Sequence, residues 1–136
     1  MPRLLGGLET SGRQRESFEI SGGGFVVTGK DNEAVDKMFE WVRMRVGFYG
    51  STPAYWPVFE CHGWEDLGQR LNEMSKRGDW EAMTREIPDE VVHHFCAVGR
   101  FDEIAASVRA RFQGPIDVIS MPDDTPKDLL QELQLL

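Results

Sequence analysis

The stretch FEISGGGFVVTGKDNEAVDKMFEWVRMRV, from Phe18 to Val46, decides the fold of this 136-residue chain. Its first part, Phe18–Thr28, has apolar residues at both ends and three glycines between them. This pattern predicts one buried strand that bends, or is closely approached, at the glycines. The continuous apolar run from Phe25 to Val27 does not alternate with polar residues, which favours a parallel strand covered on both faces.

A helix is predicted to follow this strand. Asp31 or Asn32 provides a cap, and the helix runs to about Val46 before Gly47 and Gly50 end it. Its apolar residues recur at spacings of three and four, at Val35, Met38, Phe39, Val42 and Val46. A second apolar stripe predicts that the helix packs against a sheet on one side and against neighbouring elements on another; this stripe comprises Ala34, Met38, Trp41 and Phe48.

The rest of the chain predicts several short helices and one more strand. One of the short helices contains Val91, Val92 and Phe95 and closes at Gly99. An amphipathic helix from Ile104 to Phe112 leads to a strand at Ile116–Ser120, and a last helix begins at Thr125 and Pro126. Two parallel strands joined by a long helical crossover form a βαβ unit, so the sequence predicts a helix-rich α/β fold.

Length and composition limit the possible functions. The chain is expected to form a single domain, residues 1–136, with a helical insertion at residues 51–99. A net charge of −8 argues against nucleic acid as a partner, because phosphate backbones are bound by basic surfaces. The chain has no apolar run near the roughly 20 residues of a membrane span and no secretory signal, and its two cysteines lack CxxC spacing; these features predict a cytoplasmic protein with reduced thiols.

Two Cys and His groups, Cys61-His62 and His93-His94-x-Cys96, contain residue types that bind zinc. Their spacing matches no standard metal pattern, and adjacent histidines on a helix point about 100° apart, so we expect no metal site. A neighbouring Cys and His in one turn also seldom reach the geometry of a nucleophile and its base. The favoured interpretation is one buried Cys and one exposed His in each group.

The glycines of Ser21–Gly24 and the aromatic residues of the middle helices each allow a cofactor interpretation. The glycines lack both phosphate-loop patterns and precede a strand rather than a helix, so a thinned strand is favoured. The aromatic residues recur at helical spacing and are interpreted mainly as core, although a flat aromatic wall could also hold an isoalloxazine-like ring; they are Tyr55, Trp56, Phe59, Trp64 and Trp80.

The segment FVVTGKDNEAVDKMFEWVRMRVGFYGSTPAYWPVFECHGWEDLGQRL, Phe25–Leu71, resembles the C-terminal region of the luciferase-like monooxygenase superfamily, most closely its deazaflavin-dependent oxidoreductase branch. The core FYGSTPAYWPV is moderately specific. Further matching parts cover Asp89–Gly99, Phe101–Phe112 and Ile116–Ser120, and departures occur at Trp56 and at Arg100-Phe101.

This resemblance implies a partial (β/α)₈ TIM barrel that contains the last two βα units and a helical insertion. It also implies flavin mononucleotide or coenzyme F-420 as cofactor in full-length relatives. Since active sites of such barrels lie at the carboxyl ends of the strands, the cofactor-binding candidates are Thr28, Gly29, Lys30 and Ser120, with Tyr55 from the insertion.

The resemblance assigns no catalytic residue, because the cofactor-phosphate and most ring-binding segments of the family lie in earlier βα units. The chain alone is therefore expected to be inactive and to lack a complete cofactor site. An alternative function is a non-catalytic interaction or oligomerisation module. Exposed strand edges and helix faces of an open barrel predict self-association, or pairing with the missing barrel portion.

Overall fold

The computed structural model describes residues 2–114 and 116–134. Two strands are present in this part of the chain, β1 (Phe25–Gly29) and β2 (Cys96–Arg100). The helices are α1 (Pro2–Ser11), α2 (Asn32–Gly50), α3 (Trp56–Glu60), α4 (Glu65–Arg77), α5 (Trp80–Arg85), α6 (Asp89–His93), α7 (Ile104–Phe112) and α8 (Lys127–Gln134), with short 3₁₀ turns at Arg15–Ser17 and Pro53–Tyr55.

The two strands pair in parallel, from Phe25 opposite Cys96 to Gly29 opposite Arg100. Successive side chains of a strand point to opposite faces, and each face of this small sheet contacts a different group of helices. Val27 packs in a core with residues of α2, α3, α4, α5 and α6. Val26 packs in a second core with residues of α7 and α8. The prediction of a helix-rich α/β fold with a parallel strand covered on both faces is confirmed.

The predicted first strand is too long at its amino end. β1 begins at Phe25, and Gly22, Gly23 and Gly24 have φ angles of 141°, 118° and 108°. Positive φ angles of this kind interrupt a regular strand and favour glycine. Gly24 is also where another segment approaches, because a Cβ built there would lie 2.4 Å from the carbonyl oxygen of Phe95.

The predicted position of the second strand is wrong. α6 ends at His93. Residues Cys96–Arg100 form β2, although the sequence predicted a helix that continues as far as Gly99. The predicted strand at Ile116–Ser120 makes only one isolated bridge, between Val118 and Ser21. β2 is stabilised by pairing with β1, about 70 positions earlier, which local periodicity does not detect.

The prediction for α2 is confirmed in its cap and its core side chains. The Asp31 carboxylate accepts a hydrogen bond from the Ala34 amide, and Val42 and Val46 are buried. The helix continues to Gly50, because both glycines adopt helical geometry. Gly50 allows close packing, since a Cβ there would lie 2.4 Å from the Phe59 ring.

The prediction that α2 packs against a sheet on one side and against neighbouring elements on another is confirmed, because α2 contacts both strands and also α4, α5 and α6. The second apolar stripe is covered only in part: Met38 packs against the first core, but the two large rings of the stripe do not. Trp41 and Phe48 are 43% and 48% exposed. The interpretation of the middle aromatic residues as core holds for Phe59, which is buried, but not for Tyr55 and Trp80, which are exposed. Trp41, Phe48 and Trp80 face solvent, because no further described element of this chain lies over that side of α2 and α5.

Asp117 links the N-terminal segment to the loop after α7. One of its carboxylate oxygens accepts hydrogen bonds from the Ile20 amide and from the Arg15 guanidinium, each at 2.7 Å. The Asp117 amide in turn donates to the Ile20 carbonyl at 2.9 Å. The hydrogen bond from the Ile20 amide lowers the pKa of the Asp117 carboxyl below its ordinary value of 3.8, and the hydrogen bond from Arg15 is the next largest cause.

Replacing Asp117 with asparagine is expected to increase opening of the Arg15–Ile20 segment about two- to fivefold, as for other exposed charge pairs. Because the pKa is lowered in the folded state, this stabilisation is present above pH 3.8 and is lost as the pH falls through the folded-state pKa. Hydrogen exchange of the Ile20 amide between pH 2 and 7 measures both effects. Asp124→Asn, at an exposed position, is the control, and equal exchange in the two variants would contradict the prediction.

Candidate functional site

The carboxyl ends of β1 and β2 form the candidate site, because sites of parallel α/β folds lie at this edge. Thr28 pairs with Gly99, and Gly29 pairs with Arg100. Lys30 follows β1 directly. We call these five residues the strand-end site.

Thr28 is the unusual member of the strand-end site. Its side chain is buried, and its Oγ1 is a buried polar atom without a hydrogen-bond partner among the described residues. Leaving a buried hydroxyl unpaired costs about 1–3 kcal/mol. From the sequence, Thr28 is only the last residue of a predicted strand. Its unpaired hydroxyl could not be predicted, because it depends on how tightly α7 packs over this face of the sheet.

The two glycines of the strand-end site allow helices to begin directly beside the strands. A Cβ at Gly29 would lie 2.6 Å from the Cβ of Ala34 in α2. A Cβ at Gly99 would lie 3.2 Å from the amide nitrogen of Ile104 in α7. Larger side chains would push both helices away from the sheet, so these glycines fix the close packing around Thr28.

The charges of the strand-end site are already paired. Arg100 forms ion pairs with Asp102 at 3.2 Å and with Glu103 at 2.7 Å. The hydrogen bond from Arg100 lowers the pKa of the Asp102 carboxyl, and the same bond raises the pKa of Arg100. The Lys30 side chain is 81% exposed and lies 3.9 Å from Asp31. An incoming anion would therefore compete with carboxylates for both cations.

The other two cofactor-binding candidates do not join the strand-end site. Ser120 is exposed and follows Val118, whose bridge to Ser21 lies on the amino side of β1. Tyr55 lines a cavity together with Phe25, the first residue of β1. The structure therefore brings Thr28, Gly29 and Lys30 together and places Tyr55 at the opposite end of the strands.

The cavity beside Tyr55 is apolar and has a volume of about 360 Å³. The rings of Tyr49 and Tyr55 meet edge to face, 5.1 Å apart, and supply its hydroxyl groups. Its remaining lining consists of Phe25, Val46, Val58, Phe59 and Phe95. Tyr49 is not among the predicted site residues, because the predicted end of α2 precedes it.

The Cys and His groups agree with the sequence prediction in their exposed histidines and differ from it at one cysteine. Cys96 is buried as expected, but the expected burial of Cys61 is wrong, since that thiol is exposed. Burial raises the pKa of Cys96 to about 11, so its thiol stays protonated and is a poor nucleophile at neutral pH. The rings of His62 and His94 lie 4.8 Å apart, and His62 stacks on Trp64 at 4.6 Å.

This cluster of rings does not by itself amount to a metal centre. In the part of the chain that the structure describes, no three His, Cys, Asp or Glu side chains lie close enough to hold a metal ion together. Protein zinc sites use three or four such ligands. His62, Trp64 and His94 therefore connect the turn after α3 to the end of α6 through ring packing.

A membrane-spanning helix is not found either: across residues 2–114 and 116–134, every helix is too short or too polar to cross a bilayer.

Comparison with known proteins identifies the family. The family model for luciferase-like monooxygenases matches residues 1–117. Two similar relatives are uncharacterized protein Mb1395 of Mycobacterium bovis and uncharacterized protein Rv1360 of Mycobacterium tuberculosis. Each is 45% identical over 117 residues, which is 86% of this chain and 34% of the relative. The chain thus spans about a third of the length of these relatives, and it belongs to the luciferase-like monooxygenase family.

Proposed function

We propose that this chain is the C-terminal portion of a flavin- or deazaflavin-dependent oxidoreductase of the monooxygenase type. Its family membership over residues 1–117 supports this proposal most directly, since luciferase-like proteins generally use flavin or coenzyme F-420. In the proposed whole enzyme, β1 and β2 are neighbouring strands of a (β/α)₈ barrel, and the strand-end site faces the substrate side. The remaining barrel strands would come from the further length that the relatives possess.

The described residues do not fit a flavin or deazaflavin by themselves. Such cofactors need a phosphate anchor and a ring pocket close together. Lys30 and Arg100 are close to acidic partners, and Tyr55 and Ser120 lie apart from Thr28. The apolar cavity beside Tyr55 is lined by none of Thr28, Gly29 and Lys30. We therefore propose that the chain alone is catalytically incompetent.

Cofactor titration tests this function. Flavin mononucleotide and coenzyme F-420 are each titrated into the isolated chain, and binding is followed by cofactor fluorescence and calorimetry. We expect no saturable binding up to about 100 µM, a concentration at which a complete cofactor site would be filled.

The matched control is a full-length relative, such as the Mycobacterium tuberculosis protein, in the same titration. Binding of either cofactor by the relative supports the assignment of cofactor class. If the relative binds neither cofactor, the assignment of cofactor class is contradicted. If the isolated chain binds either cofactor at micromolar concentration, the proposal that this chain alone is incompetent is contradicted.

A second candidate function is a non-catalytic interaction or oligomerisation module. The observation that favours it is the group of exposed aromatic side chains on α2 and α5. Contiguous exposed apolar surface commonly marks a site of protein association.

A further inference from the structure

We propose that α7 is a strap that closes the outer edge of β2, the edge away from β1, to pairing with another strand. Two side chains of α7 fasten the strap, Ser107 and Arg111, and both donate hydrogen bonds to backbone carbonyls at or just before this edge. This inference goes beyond the proposed function, because it concerns a conformational device of this chain and not a cofactor site.

The pairing of the two strands determines which backbone groups form the outer edge of β2. The Phe25 amide donates to the Phe95 carbonyl, and the Phe101 amide donates to the Gly29 carbonyl. Since alternate residues of a parallel strand bond to the same neighbour, the odd-numbered residues of β2 turn their amides and carbonyls towards β1. The outer edge is therefore formed by the even-numbered residues: Cys96, Val98 and Arg100.

Two carbonyls of this outer edge are already occupied by the strap and its leading turn. The Ser107 hydroxyl donates to the Val98 carbonyl at 2.9 Å, in a partly buried position. The amide of Glu103, the residue before α7, donates to the Arg100 carbonyl at 2.9 Å. An added strand pairs through the same carbonyls, so it cannot pair along β2 while these two hydrogen bonds persist.

Arg111 fastens the carboxyl end of the strap. Its guanidinium donates to the carbonyl of His93 at 3.4 Å and to that of His94, at the end of α6 just before β2. A groove of about 410 Å³ lies between the two fasteners, and its lining includes Cys96 together with Ser107 and Arg111. Cys96 is buried, so release of the strap is expected to expose its thiol.

The composition of the sheet explains why its edge needs to be closed. Phe25–Val27 and Cys96–Val98 are uncharged and mostly apolar, and such segments pair readily with other strands. In the part of the chain that the structure describes, the sheet has two strands, so each strand is an edge strand. Repeated pairing between copies needs both edges of a sheet, so closing the β2 edge is enough to stop it.

Labelling of the Cys96 thiol in the folded protein tests whether Ser107 fastens the strap. In a Cys61→Ser background, Cys96 is the single thiol, and its reaction with Ellman's reagent reports opening of the groove. Ser107→Ala is expected to increase the labelling rate about two- to tenfold, as for the loss of one hydrogen bond.

Ser75→Ala is the matched control for Ser107→Ala. Ser75 is a partly buried helical serine whose hydroxyl donates at 2.8 Å to the Asn72 carbonyl within α4, away from the strap. This substitution is expected to change the labelling rate of Cys96 by less than about twofold. Equal acceleration by the two substitutions, or no acceleration by Ser107→Ala, would overturn the proposal.

Thioflavin T fluorescence tests the second part of the proposal, that the strap prevents strand pairing. A Ser107→Ala, Arg111→Ala double variant is expected to form thioflavin-positive assemblies at least about fivefold faster than a Ser75→Ala, Arg109→Ala control. Arg109 lies on the same helix but pairs with Glu132 of α8, at 3.6 Å, so its loss leaves the strap attached to β2.

The two double variants are compared in urea concentrations that give them equal free energies of unfolding. A general loss of stability then accelerates both assemblies alike, whereas release of the strap accelerates only one. Equal assembly rates under these conditions would overturn the proposal. Neither experiment involves a cofactor, so this proposal and the proposed function fail separately.

Discussion

Leu71→Ala is expected to lower the free energy of unfolding by about 2–5 kcal/mol, the range for truncating a fully buried leucine. Leu71 has no exposed surface and lies in the core that joins β1 to α2, α3 and α4. Its Cδ1 closely approaches Gly50, and Phe59 approaches the same glycine, so the cavity left by alanine cannot collapse easily. Urea denaturation followed by tryptophan fluorescence measures the loss.

Leu5→Ala is the control for Leu71→Ala, because it removes the same atoms from a side chain that is 45% exposed. We expect this substitution to change the free energy of unfolding by less than about 0.5 kcal/mol, as is usual at surface positions. A similar loss in both variants would show that Leu71 lies outside the cooperative core.

Gly24→Ala is expected to destabilise the fold by about 3 kcal/mol or more, for two reasons. Gly24 has a φ of 108°, which L-residues rarely adopt. The added Cβ would also lie 2.4 Å from the Phe95 carbonyl oxygen, which accepts the hydrogen bond from the Phe25 amide at 2.8 Å. Alanine therefore separates the two strands at the start of their pairing.

Gly22→Ala separates these two effects. Gly22 also has a positive φ, 141°, but a Cβ built there meets no atom within 4 Å. We expect a loss of about 1–2 kcal/mol from backbone strain alone. If the two alanine variants have the same urea midpoint, the close approach of Phe95 contributes nothing.

The parts of the fold that depend on local patterns were predictable from the sequence. Asp31 begins α2 by accepting the Ala34 amide, and Gly78 ends α4 with a φ of 77°. The predicted start of the last helix, at Thr125 and Pro126, agrees with α8. Each feature requires only a few neighbouring residues, so its signal is written within one short segment.

The features that depend on distant contacts were not predictable. Cys96–Arg100 continues an apolar pattern from α6 and becomes a strand only because β1 lies beside it. His62 and His94 meet although no spacing rule connects them. Likewise, the resemblance makes Tyr55 and Thr28 candidates for the same cofactor site, but the direction of β1 places them at opposite ends of the strands.

The packing of α7 and α8 against Val26 and Ala97 has a consequence for barrel assembly. If α2 lies on the outer side of the proposed barrel, then Val26 and Thr28 belong to the side that the barrel interior would occupy. Strands added from elsewhere must first displace a helix that is tethered to β2 and is therefore present at a high effective concentration. Reconstitution of a barrel from separate pieces should accordingly be limited by the undocking of α7, with a rate that does not depend on the concentration of the added piece.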